Sequence, residues 1–319
     1  MFLVIIFAGL MFFTGCGGVN NSTQYTRFSY MSMEVFDTFT HIQGYADSQE
    51  EFEYFSDIIL TELRRLHRLF DRFNEYDGIA NIYTINKNAG IQPVEVDPDV
   101  IKMLKIAVET YHKTGGVVNI TIGAVTNLWR EGTPDIDELT AAGRLININD
   151  LVIDAENRTV FLRYQGVILD SGSIAKGFAI EQAAQKAIDA GFESFALTVG
   201  GDTFLANAPL SGSRGLWGVG VLDPLNPGEI IDSIFAANTT VFTSGDYLRP
   251  FHIIDPRTLH PASSVRSVTV VHPNAVIAEN LSLAAFILDI NEAKELLAEF
   301  HAQALWVMAD GMVIYTEGW

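Results

Sequence analysis

The sequence contains little positive charge and a single cysteine. Its 319 residues include 20 Lys and Arg against 39 Asp and Glu, which gives a formal net charge of -19. This charge disfavours direct binding to nucleic acid or to an anionic membrane surface. An anionic substrate must instead be held by local groups, such as a helix N-terminus, a metal ion or single basic residues. Cys16 cannot form a disulfide within the chain because there is no second cysteine.

The sequence also lacks the common nucleotide-binding motifs. No Gly-x-Gly-x-x-Gly lies between a predicted strand and a predicted helix, and no Gly-x-x-x-x-Gly-Lys-Ser/Thr loop occurs. Hydrophobic residues make up 48% and charged residues 18% of the chain, which is typical of a folded globular protein. The predicted strands and helices do not alternate regularly, and this order favours an α+β fold over a doubly wound α/β fold.

The N-terminus has the pattern of a targeting segment. Residues 2–13 are almost wholly apolar, are too short to span a bilayer, and are followed by Thr14-Gly15-Cys16. This pattern resembles a bacterial lipoprotein signal, residues 1–16, in which Cys16 becomes the lipidated first residue. A buried amphipathic end with a free thiol is the alternative. Residues 17–32, rich in small polar residues, are predicted to be a flexible tether, and residues 33–319 the folded domain.

Periodicity and turn residues predict most of the folded elements. The run Val35–Tyr45 is typical of a strand, and Ser48 with Glu51 predicts a capping box that opens a long helix. Further helices are predicted at Asp99–Thr114, Ile174–Ala190 and Ala278–Phe300, with hairpins at Leu151–Tyr164 and Leu305–Thr316 and strands at Phe195–Val199, Trp217–Leu222, Ile230–Phe235 and Val268–Val271.

A run of small residues, Leu169-Asp170-Ser171-Gly172-Ser173-Ile174-Ala175-Lys176-Gly177, joins a predicted strand to a predicted helix. Free backbone N–H groups and the helix dipole at such a turn favour a phosphate, and Lys176 can neutralise a phosphate oxygen. The alternative is an ordinary tight turn with a solvated lysine.

The densest group of reactive side chains lies in Ser244-Gly245-Asp246-Tyr247 and in the run His252–Thr258. Such polar density is costly to bury, so it favours a reaction site over a packed core. His252 suits a general base, and Asp246 and Asp255 are candidates for the carboxylate that orients it. The alternative is a structural or exposed histidine, one of seven in the chain.

Together with three further runs, these segments resemble the ApbE family, the FAD:protein FMN transferases. The further runs are Gly115–Gly123, Val199-Gly200-Gly201-Asp202 and Ala278–Ala284, and the resemblance extends over residues 33–319. It implies an α+β fold with mixed and antiparallel sheets and flanking helices. It also implies that FAD lies in a cleft between two closely packed halves.

The resemblance assigns roles to individual residues. The implied catalytic residues are His252, Asp246 and Asp255; the implied FAD contacts are Phe36, Phe73, Val117, Val118, Asn119, Asp170, Lys176 and Ile253; and the implied Mg²⁺ ligands are Ser173, through its carbonyl, Glu279 and Ser282. Glu279 stands where the family has aspartate. Leu283 stands where it has a threonine ligand, and leucine cannot bind a metal. A longer family hairpin is shortened here to residues 248–251.

The implied reaction moves FMN from FAD to a threonine or serine hydroxyl of a partner flavoprotein, with Mg²⁺ present and AMP released. The implied acceptors are membrane redox subunits of the Rnf or Nqr type. The enzyme is then lipid-anchored on the extracytoplasmic face of the cell membrane. FAD hydrolysis to FMN and AMP is one alternative, and a non-catalytic FAD-binding lipoprotein, suggested by Leu283, is another.

Overall fold

The part of the chain that the structure describes contains fifteen strands and eight α-helices. The computed structural model describes residues 25–211, 215–226, 228–247, 249 and 251–319. The predicted signal segment, Cys16 and the first part of the predicted tether lie outside the described residues. None of the described helices is both long enough and apolar enough to cross a membrane.

The helices and strands have the following bounds. The helices are α1 Gln49–Phe70, α2 Ile82–Lys87, α3 Pro98–Lys113, α4 Gly123–Glu131, α5 Ile136–Gly143, α6 Ala175–Asp189, α7 Ala275–Ile287 and α8 Ile290–Glu299. The strands are β1 Thr26–Val35, β2 Thr38–Ala46, β3 Val94–Glu95, β4 Leu151–Asp154, β5 Thr159–Leu162, β6 Phe195–Val199, β7 Asp202–Ala206, β8 Trp217–Leu222, β9 Ile230–Ala236, β10 Thr239–Gly245, β11 Ile254–Asp255, β12 His260–Pro261, β13 Val265–His272, β14 Gln303–Met308 and β15 Val313–Tyr315.

Eight strands form the main sheet, in the order β1-β2-β6-β7-β10-β13-β14-β15, and all neighbours are antiparallel. Alternate side chains point to opposite faces of the sheet. On one face, Ile42 and Leu197 join the large core under the helices. On the other face, Tyr45 and Ala196 pack against Trp217 of the β8–β9 hairpin. The architecture is the predicted α+β class with antiparallel sheets and flanking helices.

The longest helix, α1, begins as the sequence predicts. Ser48 is its N-cap and accepts a hydrogen bond from the backbone N–H of Glu51 at 3.1 Å. The Glu51 side chain accepts instead from the N–H of Asp47, one residue before the N-cap. The apolar stripe of α1, which includes Phe52 and Leu63, is buried in the large core.

The predicted strand Val35–Tyr45 is correct for most of β2 but wrong at its start, because Val35 ends β1 and the two strands form a hairpin. Phe36 and Asp37 form the turn, with φ angles of 53° and 52°. Both values lie in the left-handed region, which a two-residue hairpin turn requires and which non-glycine residues seldom adopt. β1 begins at Thr26, so residues 26–32, which the sequence analysis assigns to the tether, lie in a strand of the main sheet.

The predicted helix Ala278–Phe300 is wrong as well, because it is two helices. The break falls at Leu288 and Asp289, and Asp289 caps α8 in a capping box with Glu292. Strands β7 and β10 and the short helices α2, α4 and α5 were not predicted. The other predicted elements agree with the structure to within a few residues at their ends.

Candidate active site

A cavity of about 970 Å³ lies between the large core and a smaller apolar cluster around α4 and α5. Trp129 of α4 and Ile254 of β11 form part of the wall on the side of the small cluster, and Phe70 and Ala175 on the side of the large core. The volume is at the upper end of the range for small-molecule sites. The cavity has the size required for a dinucleotide.

Most of the residues predicted from the sequence meet in this cavity. Its lining includes Phe36, Phe73, Val117, Asn119, Asp170, Ser173, Lys176, His252, Ile253, Glu279 and Ser282. Three predicted residues, Val118, Asp246 and Asp255, are not part of the lining. Val117 and Val118 are both buried in the large core, and of the two only Val117 also lines the cavity.

Asp170 is held by an arginine that the sequence analysis did not identify. The guanidinium of Arg72 lies 2.7 Å from Oδ2 of Asp170, and the hydroxyl of Thr126 donates to the same oxygen at 2.7 Å. Oδ1 accepts from the backbone N–H of Gly172 and so caps the turn. Only 5% of the Arg72 side chain is exposed. The buried pair fixes Asp170, since an unpaired charge here would be strongly unfavourable.

The N-terminus of α6 is occupied by a carboxylate rather than left free. The backbone N–H of Gly177 donates to Oε2 of Glu279 at 2.8 Å. A Cβ atom at Gly177 would lie 2.7 Å from the carbonyl oxygen of Ala275 and 2.8 Å from Oε2 of Glu279, so only glycine permits this approach of α6 to α7. One of the N–H groups at this predicted phosphate-binding turn is therefore already paired.

Lys176 lies between two carboxylates. Its Nζ pairs with Oδ2 of Asp202, and Oδ1 of Asp202 accepts from the backbone N–H of Thr243 at 2.8 Å. Burial opposes the charge on Lys176, but Asp202 and Glu279 prevail and raise its pKa. Burial raises the pKa of Glu279 to about 8, against the opposing effect of Lys176. Asp202 is a site residue whose role the sequence analysis missed, although it ends the Gly200-Gly201-Asp202 run.

The donor atoms beside this pair are all oxygens. The Ser282 hydroxyl donates to the carbonyl of Glu279 at 2.8 Å and lies 2.8 Å from the hydroxyl of Ser244. Leu283 also lines the cavity and offers no donor. The described residues contain no cluster of three His, Cys, Asp or Glu side chains able to hold a metal. One carboxylate with neutral oxygens suits a Mg²⁺ ion that takes its remaining ligands from substrate phosphates and water.

His252 is oriented by a backbone carbonyl instead of the predicted carboxylates. Its Nδ1 lies within hydrogen-bonding distance of the carbonyl oxygen of Arg249. Asp246 pairs with Arg266 at 2.8 Å, and Asp255 pairs with Arg257 at 2.8 Å. Burial lowers the pKa of His252, which keeps its imidazole neutral at pH 7. Because a carbonyl only accepts, Nδ1 carries the proton and Nε2 has a free lone pair.

Two aromatic rings provide flat walls. The Phe36 ring packs edge-on against His67, with ring centres 5.4 Å apart, and the N–H of Phe36 donates to Nδ1 of His67. The ring of Phe73 is 46% exposed and lies 4.6 Å from the guanidinium of Arg72 and 4.2 Å from that of Arg130. These cation–π contacts place positive charge at one end of the cavity of an otherwise acidic protein.

Asn119 holds the Gly115–Gly123 segment in its conformation through two hydrogen bonds. Its Oδ1 accepts from the backbone N–H of Thr121 at 3.0 Å and from the Thr121 hydroxyl at 2.8 Å. Asn119 is buried but still lines the cavity. The segment leads directly into α4 at Gly123.

The fold and the cavity define an α+β protein with aromatic, cationic and oxygen-donor groups around a site of dinucleotide size. The chain belongs to the ApbE family, whose family model matches residues 36–306. The predicted resemblance to that family is confirmed.

Similar proteins are known from several bacteria. An FAD:protein FMN transferase of Treponema pallidum is 28% identical over 99% of this chain and 92% of its own length. A second, from Haemophilus influenzae, is 26% identical over 74% of each chain. The crystal structure of the ApbE protein of Thermotoga maritima is 27% identical, covers 92% of this chain and 97% of its own, and has a TM-score of 0.81. The flavin transferase ApbE of Vibrio cholerae shares the fold, with a TM-score of 0.80 at 20% identity and coverage of 92% and 98%.

Proposed function

We propose that this chain is an FAD:protein FMN transferase that moves FMN from FAD to a threonine or serine hydroxyl of a partner flavoprotein and releases AMP. The transferase class is supported by membership of the ApbE family and by the relatives that bear this name. The observation that carries the proposal is the meeting of His252, Lys176 and the oxygen donors around Glu279 in one cavity.

The bonds made and broken balance without an external oxidant or reductant. The acceptor hydroxyl oxygen forms a bond to the FMN-side phosphorus of FAD. The bond between that phosphorus and the bridging oxygen breaks, and AMP leaves with the electron pair. The hydroxyl proton passes to Nε2 of His252. Catalysis of this kind depends on positioning and on neutralisation of charge.

His252 is suited to accept the proton for two reasons. The Arg249 carbonyl holds the Nδ1–H tautomer, which presents Nε2 as an acceptor. The pKa of the imidazole is lowered by burial, so the base is unprotonated at neutral pH.

Lys176 is suited to bind the pyrophosphate. Its ammonium group is held in place by Asp202 and remains charged because of Asp202 and Glu279. Ser173, Glu279 and Ser282 are the residues that would hold Mg²⁺. When bound, this ion supplies additional neutralisation of pyrophosphate charge. Glu279 must then release its proton and reorient relative to the Gly177 amide.

The rest of the cavity is suited to the flavin and adenosine groups. Phe36 and Phe73 offer aromatic faces, Val117 and Ile253 offer apolar contact, and Asn119 offers a polar edge. Asp170 is fixed by Arg72 and accepts hydrogen bonds in a rigid position. This rigidity reduces the entropy lost when the substrate is bound.

Leu283 favours one second candidate, a non-catalytic FAD-binding protein. It lines the cavity next to the proposed metal ligands, where it removes a possible oxygen donor. A binding protein of this kind would retain FAD and never yield AMP. FAD hydrolysis, with water in place of the acceptor hydroxyl, is an alternative outcome of the same chemistry.

The proposed location rests on the N-terminal sequence pattern, and the proposed acceptor rests on the family resemblance. The apolar residues 2–13 and the lone Cys16 support a lipid anchor on the extracytoplasmic face of the cell membrane. The resemblance to the ApbE family supports membrane redox subunits of the Rnf or Nqr type as acceptors, which agrees with such an anchor.

The test incubates the full chain in detergent with FAD, Mg²⁺ and a flavoprotein domain that a related transferase is able to flavinylate. Covalent FMN is followed by in-gel fluorescence and mass, and AMP by chromatography, with EDTA as the control. A Mg²⁺-dependent adduct with matching AMP is expected. Bound FAD without either product would contradict the proposal in favour of a binding protein, and AMP with free FMN would indicate hydrolysis.

A further inference from the structure

A second cavity, of about 750 Å³, lies on the opposite face of the main sheet from α1, α6 and α7. Its base is the exposed face of strands β2, β6 and β7, and Trp217 and Val219 of β8 contribute to its wall. His252 and Lys176 line the first cavity and are not part of the lining of the second.

The base of the second cavity is a row of neutral hydrogen-bonding side chains. His41 lies opposite Thr198 in the sheet, and Thr198 lies opposite Thr203, with their hydroxyl oxygens 2.9 Å apart. Burial and then the charge of Arg27 lower the pKa of His41, so its imidazole is neutral. Gln43 adds an amide to the next row. Groups of this kind complement the N–H and C=O groups of an extended polypeptide.

An anionic ligand is a poorer match for the second cavity. Arg27 is the cationic side chain in its lining, and the guanidinium of Arg27 already donates to Gln43 at 2.6 Å and lies 5.7 Å from the ring centre of Trp217. The cavity therefore lacks the surplus of cations found near Phe73 in the first cavity.

The two cavities have a wall in common. Gly200, Asp202, Thr243 and Gly245 line both of them. The β6–β7 turn crosses this wall at Gly200 and Gly201, which lack side chains and adopt φ angles of 65° and 96°. Gly200 packs closely against Thr38, because a Cβ atom at Gly200 would lie 3.1 Å from its side chain. A Cβ atom at Gly201 would meet no atom within 4 Å, so the turn borders open space. The common wall lies beside the pair of Lys176 and Asp202.

We infer that the second cavity binds the hydroxyl-bearing segment of the acceptor polypeptide and directs its threonine or serine across the Gly200–Gly201 turn. This inference rests on the proposed function. Phosphoryl transfer places the attacking and leaving oxygens roughly in line, so the acceptor must approach the phosphorus from a side that FAD does not occupy. The second cavity offers such a side, and its common wall adjoins the lysine that binds the phosphates. The bonds made and broken are those of the proposed transfer reaction.

The test replaces Thr198 by arginine, which fills the centre of the second cavity without touching the first. Thr159→Arg is the matched control, since Thr159 is also a half-buried strand threonine but lies in β5 of the separate three-stranded sheet. The full chain is assayed with FAD, Mg²⁺ and a flavoprotein domain that a related transferase is able to flavinylate. The expected result for Thr198→Arg is an acceptor KM raised at least about tenfold with the FAD Kd changed less than about twofold. Thr159→Arg is expected to leave both constants unchanged.

Two results would overturn the inference. An unchanged acceptor KM would mean that the acceptor does not enter the second cavity. A parallel loss of FAD affinity would mean that the cavity is part of the flavin site. Failure of the unsubstituted chain to transfer FMN is a different result, because it removes the proposed function before any variant is compared.

A crosslinking measurement keeps the inference testable if Thr198→Arg does not fold. A photoreactive amino acid is placed at position 198 or, as the control, at position 159, and the flavoprotein domain is added with FAD. We expect position 198 to crosslink to the flavoprotein domain, and we expect an excess of unlabelled acceptor to abolish these crosslinks. Equal crosslinking from both positions, or none from position 198, would contradict the inference.

Discussion

The two ends of the reaction site are constructed differently. Lys176, Asp202 and Glu279 lie where α6, α7 and β7 meet; Lys176 and Asp202 form an ion pair within the packed interior, and burial raises the pKa of Glu279. His252 lies on a surface segment and is held by the carbonyl of a residue three positions earlier. The proposed phosphate-binding end is thus part of the core, whereas the proposed proton-accepting end is part of a loop. Substitutions at the first end should therefore reduce stability and binding together, and substitutions at the second end should reduce turnover alone.

The largest effect is expected for Lys176→Met, which leaves the carboxylate of Asp202 buried without its partner. Breaking a buried ion pair in this way costs about 3–5 kcal/mol of unfolding free energy. Urea denaturation measures this loss, and FAD binding should fall with it.

The control for Lys176→Met is the double variant Lys176→Met with Asp202→Asn. The asparagine introduced by Asp202→Asn keeps the hydrogen bond from the Thr243 amide without a charge, so the double variant should recover much of the lost stability. Equal stability of the single and double variants would mean that Lys176 does not stabilise a buried charge on Asp202.

The next effect is expected for His252→Ala, which removes the proton acceptor and should lower the transfer rate about 10²- to 10⁴-fold. FAD affinity and the thermal midpoint should remain near those of the unsubstituted chain. Because burial lowers the pKa of His252, the rate of the unsubstituted chain should rise with pH and then level off, with its midpoint below the ordinary imidazole value of 6.5. Stopped transfer assays at several pH values measure the loss of rate and its pH dependence. If the rate of His252→Ala still falls at low pH as it does in the unsubstituted chain, His252 is not the base.

A smaller effect concerns the pH dependence of stability. The pKa of Glu279 is raised from 4.5 to about 8 by burial, so the folded protein keeps a proton that the unfolded chain releases near pH 4.5. Unfolding free energy in the absence of metal should therefore fall as pH rises from 4.5 to 8, by a few kcal/mol over the whole window. Glu279→Gln should flatten this dependence in urea titrations at several pH values. An identical slope in both proteins would mean that Glu279 is ionised in the fold.

The smallest effect is expected for Leu283→Thr, which adds one oxygen donor beside Glu279 and Ser282. We expect Mg²⁺ affinity to rise about tenfold in isothermal titration with FAD bound. Leu283→Val, of similar shape to threonine, is the matched control and should not change the affinity. Equal affinity of the two variants would place the metal away from α7.

Several helix boundaries could be predicted from the sequence. The N-cap bond of Ser48 joins residues three positions apart, and local pattern therefore predicted the start of α1 correctly, although the second bond of the predicted capping box goes to Asp47 instead. The small residues around Lys176 indicated a tight turn into a helix, and α6 begins there. The break at Asp289 was missed although its capping box is local, because the apolar pattern on both sides continues without interruption.

One turn and two side-chain contacts could not be predicted from the sequence. The β1–β2 turn at Phe36 and Asp37 lacks the glycine or asparagine that marks such turns, so local pattern places the start of the strand at Val35, inside β1. The partner of Lys176 was missed because Asp202 reaches it only through the pairing of β6, β7 and β10. Arg72 was not identified because nothing near it in the sequence indicates its contact with Asp170.

The sequence by itself determined the acidic charge, the α+β class, the positions of the long helices and the motifs that mark the ApbE family. These depend on composition and on short-range pattern. Only the tertiary structure decided that Glu279 occupies the N-terminus of α6, that a carbonyl orients His252, and that a second cavity adjoins the first. Each of these depends on groups brought within a few ångströms by the packing of helices and strands, and that packing is set by the whole core.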